Sequence, residues 1–209
     1  MADETEPTAT DLPAEGEVWY VSYGSNMSEQ RLFAYLEGGT PPGGNRRNPG
    51  ARDTTRPRRS LPVDLPGSLY FAGQSSQWSG GVAFYDHDDT SRGPTAARAY
   101  LITAEQFADV ATQEMQRVPQ VGDPLEEVVL GGIDGGRHRA GPGHYETLVE
   151  VGRLEGAPLL LFTAPHGMQH VEHTQPSPAY IAMLAEGLRE SRKWDDDRVE
   201  RYFRELGVA

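Results

Sequence analysis

A short polar run follows the first predicted strand of this sequence. Tyr23, Gly24, Ser25 and Asn26 come directly after the apolar segment EVWYVS and just before a predicted helix. Such a junction presents free backbone N–H groups and the positive end of a helix dipole, and glycine lets a ligand approach the backbone closely. Ser25 and Asn26 add a hydroxyl and an amide. These groups suit a ligand that carries a carboxylate beside an amine, although a plain turn with a helix cap has the same local pattern.

A second candidate is Glu114, near the end of the predicted helix 104–117. On a helical wheel with about 100° per residue, Glu114 falls inside the apolar stripe formed by Phe107, Val110, Ala111 and Met115. Glu105 and Asp109 fall on the opposite side, where we expect solvent. Burial raises the pKa of a carboxyl toward the range that is useful for proton transfer near neutral pH. Alternatively, Glu114 reaches solvent at the helix end or pairs with an arginine.

The elements that must position these residues follow from the periodicity of the chain. We predict strands at 17–23, 68–72, 80–85, 96–103, 146–152 and 157–163. We predict helices from Ser28 to residue 37, from the capping residue Thr103, from Ser177 through Leu188, and at the C-terminal end around Phe203. Two long segments, 39–66 and 118–145, are predicted as irregular excursions. The pattern indicates an α+β fold, a small mixed β-barrel or sheet flanked by helices.

Composition excludes several classes of function. The chain has 209 residues and no cysteine, so disulfides, thiolate nucleophiles, cysteine-ligated zinc and iron–sulfur clusters are excluded. A formal net charge of −12 argues against a general nucleic-acid binder. No run approaches the roughly 18 apolar residues of a membrane span, and the N-terminus lacks an apolar signal core. We therefore expect a cytoplasmic protein with no membrane or nucleic-acid partner; its oligomeric state stays open.

Charge is unevenly distributed along the chain. Residues 1–17 hold six acids and no base, and we predict a disordered acidic tail before a single domain at 18–209. Residues 45–59 hold six arginines and one aspartate. This arginine-rich loop is interpreted as a solvated connection that balances an acidic body, or alternatively as a site for an anion or an acidic partner.

Four motifs in this order resemble those of the γ-glutamylcyclotransferase family. They are YGSNM at 23–27, WSGGVA at 78–83, the helix end bearing Glu114, and PSPAY at 176–180. The resemblance covers most of residues 17–190 and implies a small barrel-like sheet flanked by helices. It also implies that Tyr23–Asn26 hold a γ-glutamyl head group and that Glu114 is the general acid and base. The excursions 39–66 and 118–145 are longer than in compact members, and strand 157–163 lacks an aromatic hydroxyl that some members carry.

The activity that this resemblance implies is conversion of a γ-glutamyl amine, peptide or metabolite to 5-oxoproline and a free amine. Because the attacking amine and the carbonyl belong to one molecule, this lyase or acyl-transfer reaction needs no cofactor and no metal. The alternative is a non-catalytic, ligand-binding member of the same fold. A hydrolytic amidase is a third reading, but no nucleophile-elbow pattern supports it.

Two further features leave alternatives open. Tyr180, one turn into the late helix, either packs in the core or lines the site with its hydroxyl. His166, His170 and His173 have a spacing that could bind a metal. They lie in a predicted loop without a helical frame, and we predict no metal there.

Overall fold

A computed structural model of the chain describes residues 12–41, 44, 46–75 and 78–208. Within these residues the helices are α1 (Glu29–Leu36), α2 (Ala104–Glu114), α3 (Pro124–Gly131), α4 (Pro178–Arg192) and α5 (Asp196–Glu205). The strands are β1 (Glu17–Ser22), β2 (Arg59–Leu65), β3 (Ser68–Ala72), β4 (Val82–Asp86), β5 (Thr95–Thr103), β6 (Arg137–Arg139), β7 (Thr147–Leu154) and β8 (Ala157–Thr163).

The strands form one mixed sheet and one separate hairpin. In the described part of the chain, the main sheet has the order β2-β5-β1-β8-β7-β6, and β3 pairs with β4. β1 lies inside the sheet, antiparallel to β5 and parallel to β8. The predicted α+β class with a mixed sheet flanked by helices is confirmed, but the sheet stays open and does not close into a barrel.

The central position of β1 explains its continuous apolar sequence. A strand that is covered on both faces needs apolar side chains at every position, and Val18 through Val21 are all buried. Trp19 packs into the core on one face of the sheet, with Leu184 and Leu188 of α4. Tyr20 points to the other face, where its ring lies 5.9 Å from that of Phe107 in α2. Helices α2 and α4 therefore cover opposite faces of the sheet.

Both predicted excursions contain regular structure. Part of 39–66 forms β2, whose alternating half-buried and exposed residues mark an edge strand, and its Pro62 obscured the pattern. The excursion 118–145 contains α3 and the short strand β6. Helix α3 begins where Asp123 accepts a hydrogen bond from the backbone N–H of Leu125, with Pro124 in its first turn.

The expectation that Asp109 faces solvent is wrong. Its side chain has no solvent-exposed surface because the arginine-rich loop folds over this side of α2. Asp109 accepts hydrogen bonds from the backbone N–H of Arg52 at 2.8 Å and from its Nε at 3.0 Å. The same guanidinium contacts Glu105 and Glu126. Here the arginine-rich loop neutralises acidic groups of the protein itself. This agrees with its interpretation as a connection that balances an acidic body.

The start of the described chain is joined to the body. Glu17 is the first residue of β1, and its carboxylate pairs with Arg58 at 2.6 Å. Arg58 also donates to the carbonyl of Leu12. The rest of the predicted tail, residues 1–11, lies outside the described residues. None of the helices in the described ranges has the length and apolar composition needed to cross a membrane.

Candidate active site

A cleft of about 230 Å³ opens at the carboxyl ends of the parallel strands β1 and β8. All six residues predicted to form the site line this cleft: Tyr23, Gly24, Ser25, Asn26, Glu114 and Tyr180. They come from the loop after β1, the end of α2 and the start of α4. The carboxyl ends of sheet strands are a common place for ligands in open sheets, since loops there can converge without disturbing the core.

The loop after β1 is a single tight turn that leads into α1. The backbone N–H of Met27 donates to the carbonyl of Gly24 at 3.0 Å, and that of Ser28 donates to the carbonyl of Ser25 at 3.1 Å. The Met27 carbonyl accepts from the Tyr100 hydroxyl at 2.8 Å and from Arg98 Nη1 at 3.0 Å. Two side chains of β5 therefore fix this loop through the carbonyl of Met27.

Helix α4 holds the same loop from its other side. Ser28 is the N-cap residue of α1, where the sequence predicts that this helix begins. Its hydroxyl makes no cap bond to the helix and instead donates to Glu190 at 3.2 Å. The other oxygen of Glu190 accepts from the backbone N–H of Glu29 at 2.9 Å. Gly187 provides the space for this contact, since a Cβ there would lie 2.5 Å from the Cβ of Met27.

Glu114 is the last residue of α2 and presents its carboxyl to the cleft. Asn26 donates to it from Nδ2 at 3.0 Å, and the Tyr35 hydroxyl also hydrogen-bonds to it. Burial raises the pKa of the Glu114 carboxyl above its ordinary value, while Arg31 and these two hydrogen bonds oppose the shift. The carboxyl is thus desolvated yet open to the cleft, which suits a group that exchanges protons with a ligand.

Tyr23 and Tyr180 use their hydroxyls mainly to hold the walls of the cleft. Tyr23 donates to the carbonyl of Phe162 at 2.8 Å. The Tyr180 hydroxyl accepts from the backbone N–H of Ala83 at 3.3 Å and would lie 3.5 Å from a Cβ built on Gly24. Tyr180 therefore combines the two alternatives, because its ring packs in the core and its hydroxyl end reaches the site.

The cleft residues that the sequence analysis did not single out include Arg31, Tyr35 and Tyr145. Arg31 and Tyr35 lie one turn apart on α1, so their helical spacing was the available signal. Tyr145 lies in an excursion without periodicity and has a φ of +59°, which is rare for a residue with a bulky side chain. Its hydroxyl donates to the carbonyl of Ala83 at 3.0 Å, so the loop before β7 brings a phenol to the cleft.

The mouth of the cleft is more polar and more exposed than its floor. Arg46, Asn48 and Arg117 line it. Arg46 belongs to the arginine-rich loop and is exposed, and Arg117 forms an ion pair with Glu146. A substituent of the ligand that extends toward solvent would pass these groups.

The three histidines lie apart from this cleft. The Tyr70 hydroxyl contacts His166 Nδ1 at 3.2 Å, and His173 Nε2 lies 3.0 Å from the carbonyl of Met168. Over the described residues, no group of three or more histidine or acidic side chains is arranged to hold a metal ion.

Comparisons with known proteins extend these observations. No protein-family model matches the sequence. Histone deacetylase 5 of Arabidopsis thaliana is 30% identical over 216 residues, a match that includes 95% of this chain and 32% of that protein. The chain thus spans about a third of this relative, whose name gives no activity for the matched part.

Two solved structures resemble the whole fold. The human structure described as uncharacterized protein loc79017 matches with a TM-score of 0.52 and 17% identity, over 90% of this chain and 87% of that one. A structure described as gamma-glutamyl cyclotransferase matches with a TM-score of 0.51 and 14% identity, over 89% and 86% of the two chains. This chain therefore has the fold of gamma-glutamyl cyclotransferase.

Proposed function

We propose that this protein is a cyclotransferase that converts a γ-glutamyl amine, peptide or γ-glutamylated metabolite to 5-oxoproline and a free amine. The observation that carries the proposal is the Glu114 carboxyl, which is desolvated, hydrogen-bonded to Asn26 and exposed to a cleft formed by Gly24–Asn26. The fold shared with gamma-glutamyl cyclotransferase supports it.

The reaction is an intramolecular acyl transfer. The α-amine nitrogen of the substrate attacks the γ-carbonyl carbon, a C–N bond closes a five-membered ring, and the original amide C–N bond breaks. Two protons leave the attacking nitrogen as it changes from an ammonium to a lactam N–H. Glu114 accepts them one after the other and passes both to the departing nitrogen, which leaves as an alkylammonium ion. Atoms and charge balance without a covalent enzyme intermediate, so the protein has to hold a folded conformer and move protons.

The environment of Glu114 fits both roles. A carboxyl at its ordinary pKa is a weak base toward an ammonium group, and raising the pKa brings the two groups closer in proton affinity. The hydrogen bonds from Asn26 and Tyr35 orient the carboxyl toward the cleft. Backbone N–H groups of Gly24–Asn26 are proposed to stabilise the oxyanion that develops on the γ-carbonyl oxygen.

The size of the cleft suits one part of the substrate, the γ-glutamyl group, while the leaving amine would extend beyond it. A volume of about 230 Å³ is smaller than that of a site for a drug-sized ligand and suits the glutamyl head group. The leaving amine would extend toward the mouth, past Arg46 and Arg117. We therefore assign the γ-glutamyl group, which all these substrates share, to the interior of the cleft, and the leaving amine, which differs among them, to its mouth.

The test is to incubate the protein with a panel of γ-glutamyl amines, γ-glutamyl peptides and γ-glutamylated metabolites and to detect 5-oxoproline by mass spectrometry. We expect turnover of at least one compound by the wild type. Glu114→Gln, which keeps the shape but loses the titratable proton, should lower turnover by about 10²- to 10⁴-fold.

Glu105→Gln is the matched control, because Glu105 lies on the same helix but outside the cleft, and it should turn over like the wild type. Equal activity of Glu114→Gln and wild type would contradict the proposed mechanism. Saturable binding of γ-glutamyl compounds with no 5-oxoproline formation would favour the non-catalytic, ligand-binding alternative.

A further inference from the structure

The Arg31 side chain is buried beside Glu114 and has unused hydrogen-bond donors. It lies in the first turn of α1, is 3% exposed and lines the cleft. Its guanidinium lies 5.4 Å from the ring centre of Trp78 and 5.9 Å from that of Tyr35. Within the described residues, its Nε and Nη1 have no hydrogen-bond acceptor.

This arrangement is costly unless a ligand completes it. A guanidinium stays charged in proteins, and its N–H groups lie in the plane of the group. The aromatic rings of Trp78 and Tyr35 interact with the charge but accept none of these in-plane bonds. Burial of an unpaired charge is strongly unfavourable, and a carboxylate forms strong, charge-assisted hydrogen bonds with guanidinium N–H groups.

Asn26, which contacts the Glu114 carboxyl, provides an unused hydrogen-bond acceptor. With its amide nitrogen donating to Glu114 at 3.0 Å and to Tyr20 at 3.1 Å, Asn26 directs Oδ1 elsewhere. That oxygen is buried and has no donor within the described residues. Arg31 therefore offers unused donors, and Asn26 offers an unused acceptor, in the same cleft.

We propose that Arg31 binds the α-carboxylate of the γ-glutamyl group and that Asn26 Oδ1 accepts a hydrogen bond from its α-ammonium. The cleft thereby selects acyl groups that are α-amino acids, and this assignment rests on the proposed function above. The difference in burial between two arginines indicates which carboxylate Arg31 binds. Arg31 is buried beside Glu114, whereas a carboxylate on the leaving amine would lie near the exposed Arg46.

A binding experiment tests Arg31 without requiring turnover. The probes are 5-oxoproline and 2-pyrrolidinone, which has the same ring without the carboxylate, titrated by calorimetry or ligand-observed NMR. Wild type should bind 5-oxoproline about 10- to 100-fold more tightly, the usual effect of a hydrogen-bonded charged group. Arg31→Met should remove this preference, and Arg46→Met, at the exposed mouth, should retain it.

A turnover experiment tests the same residue in catalysis. A γ-glutamyl amide is compared with the corresponding 4-aminobutyryl amide, which can close the same ring but lacks the α-carboxylate. Arg31→Met should lower kcat/KM about 10- to 100-fold more for the first compound than for the second, because any effect of the lost charge on the pKa of Glu114 applies to both compounds. Asn26→Asp, which replaces the amide by a second carboxyl beside Glu114, should lower turnover of both compounds.

The outcomes separate this inference from the proposed function. If wild type forms 5-oxoproline and Arg31→Met retains the preference for the carboxylate, the assignment of Arg31 is wrong and the function stands. If wild type forms no 5-oxoproline but its binding preference depends on Arg31, the function fails and the carboxylate site stands. Circular dichroism checks the fold of each variant, and Arg31→Gln is a second neutral replacement if the methionine variant does not fold.

Discussion

Two carboxylates of α2 show how burial can serve different purposes at the residue scale. Asp109 is fully buried and bonded to Arg52, so its charge is matched inside the protein. Glu114, at the end of the same helix, is bonded to a neutral amide and a phenol, and its pKa is raised by burial. A charge matched by an arginine stabilises the structure, whereas a desolvated carboxyl without such a direct partner is available for proton transfer.

The raised pKa of Glu114 predicts a pH-dependent effect of Glu114→Gln on stability. A carboxyl whose pKa is higher in the folded state than its ordinary value of 4.5 contributes stability that is complete below the unfolded pKa. This contribution is lost as the pH rises through the folded pKa. The melting temperatures of variant and wild type should therefore be similar at about pH 4, and the variant should be higher by a few degrees near neutral pH.

Thermal unfolding followed by circular dichroism over this pH range checks the prediction. Glu105→Gln serves as the reference because it makes the same replacement on the same helix outside the cleft. A melting temperature of Glu114→Gln that falls below the wild type as the pH rises would contradict a raised pKa.

The network of Asp109 predicts a loss of stability on substitution. Asp109→Asn leaves Arg52 beside a neutral amide and weakens the contact that fixes the arginine-rich loop on α2. Breaking such a buried pair costs about 3 kcal/mol, which urea unfolding can measure. Glu105→Gln, the corresponding change from acid to amide at a contact with Arg52 that is more exposed, should lower the free energy of unfolding by less than about 1 kcal/mol. Equal stability of the two variants would show that the burial of Asp109 does not strengthen its contribution to stability.

At the scale of elements, the loop after β1 depends on its neighbours. Tyr100 and Arg98 of β5 bind the carbonyl of Met27, and Glu190 of α4 binds Ser28 and the backbone N–H of Glu29. A loop that must present backbone N–H groups to a ligand needs such support, because a shift of 1 Å at the reacting atoms can cost about 10²-fold in rate.

Helix α4 should therefore influence the site through Gly187, which has no contact with the cleft. In Gly187→Ala, the new Cβ would lie 2.5 Å from Met27 Cβ and 2.9 Å from the Met27 carbonyl carbon, so the loop or the helix must move. We expect a lower melting temperature and a loss of about 10-fold or more in kcat/KM. Gly131→Ala, with open space at its Cβ position, is the matched control and should keep both values.

At the scale of the whole molecule, the sequence predicts an acidic tail at 1–17 before a single domain. The last residue of this predicted tail, Glu17, forms part of β1 and pairs with Arg58, so we propose that only residues 1–11 are dispensable. Deletion of residues 1–11 should leave the melting temperature and turnover unchanged, because the segment is acidic and lacks a hydrophobic pattern. Deletion through Glu17 should lower the melting temperature, and equal behaviour of the two truncations would contradict this boundary.

The sequence by itself determined features that depend on local spacing. Alternation and helical periodicity located most strands and helices, and the wheel position of Glu114 among Phe107, Val110 and Ala111 indicated a carboxyl on the buried face of α2. The polar residues after β1 were also apparent, because a strand, a glycine and a helix start follow one another in the chain. Local patterns report which face of an element is apolar. Together with the family resemblance, they selected six of the residues that line the cleft.

Only the tertiary structure decided which groups meet across the chain. The burial of Asp109 depends on Arg52, which is 57 residues away, and no period within α2 could reveal that partner. Arg31 resembled an ordinary surface arginine of an amphipathic helix until the cleft placed it beside Trp78 and Glu114. Hydrogen bonds and ion pairs join atoms that are close in space, so their partners follow from how the elements pack rather than from the spacing within any one of them.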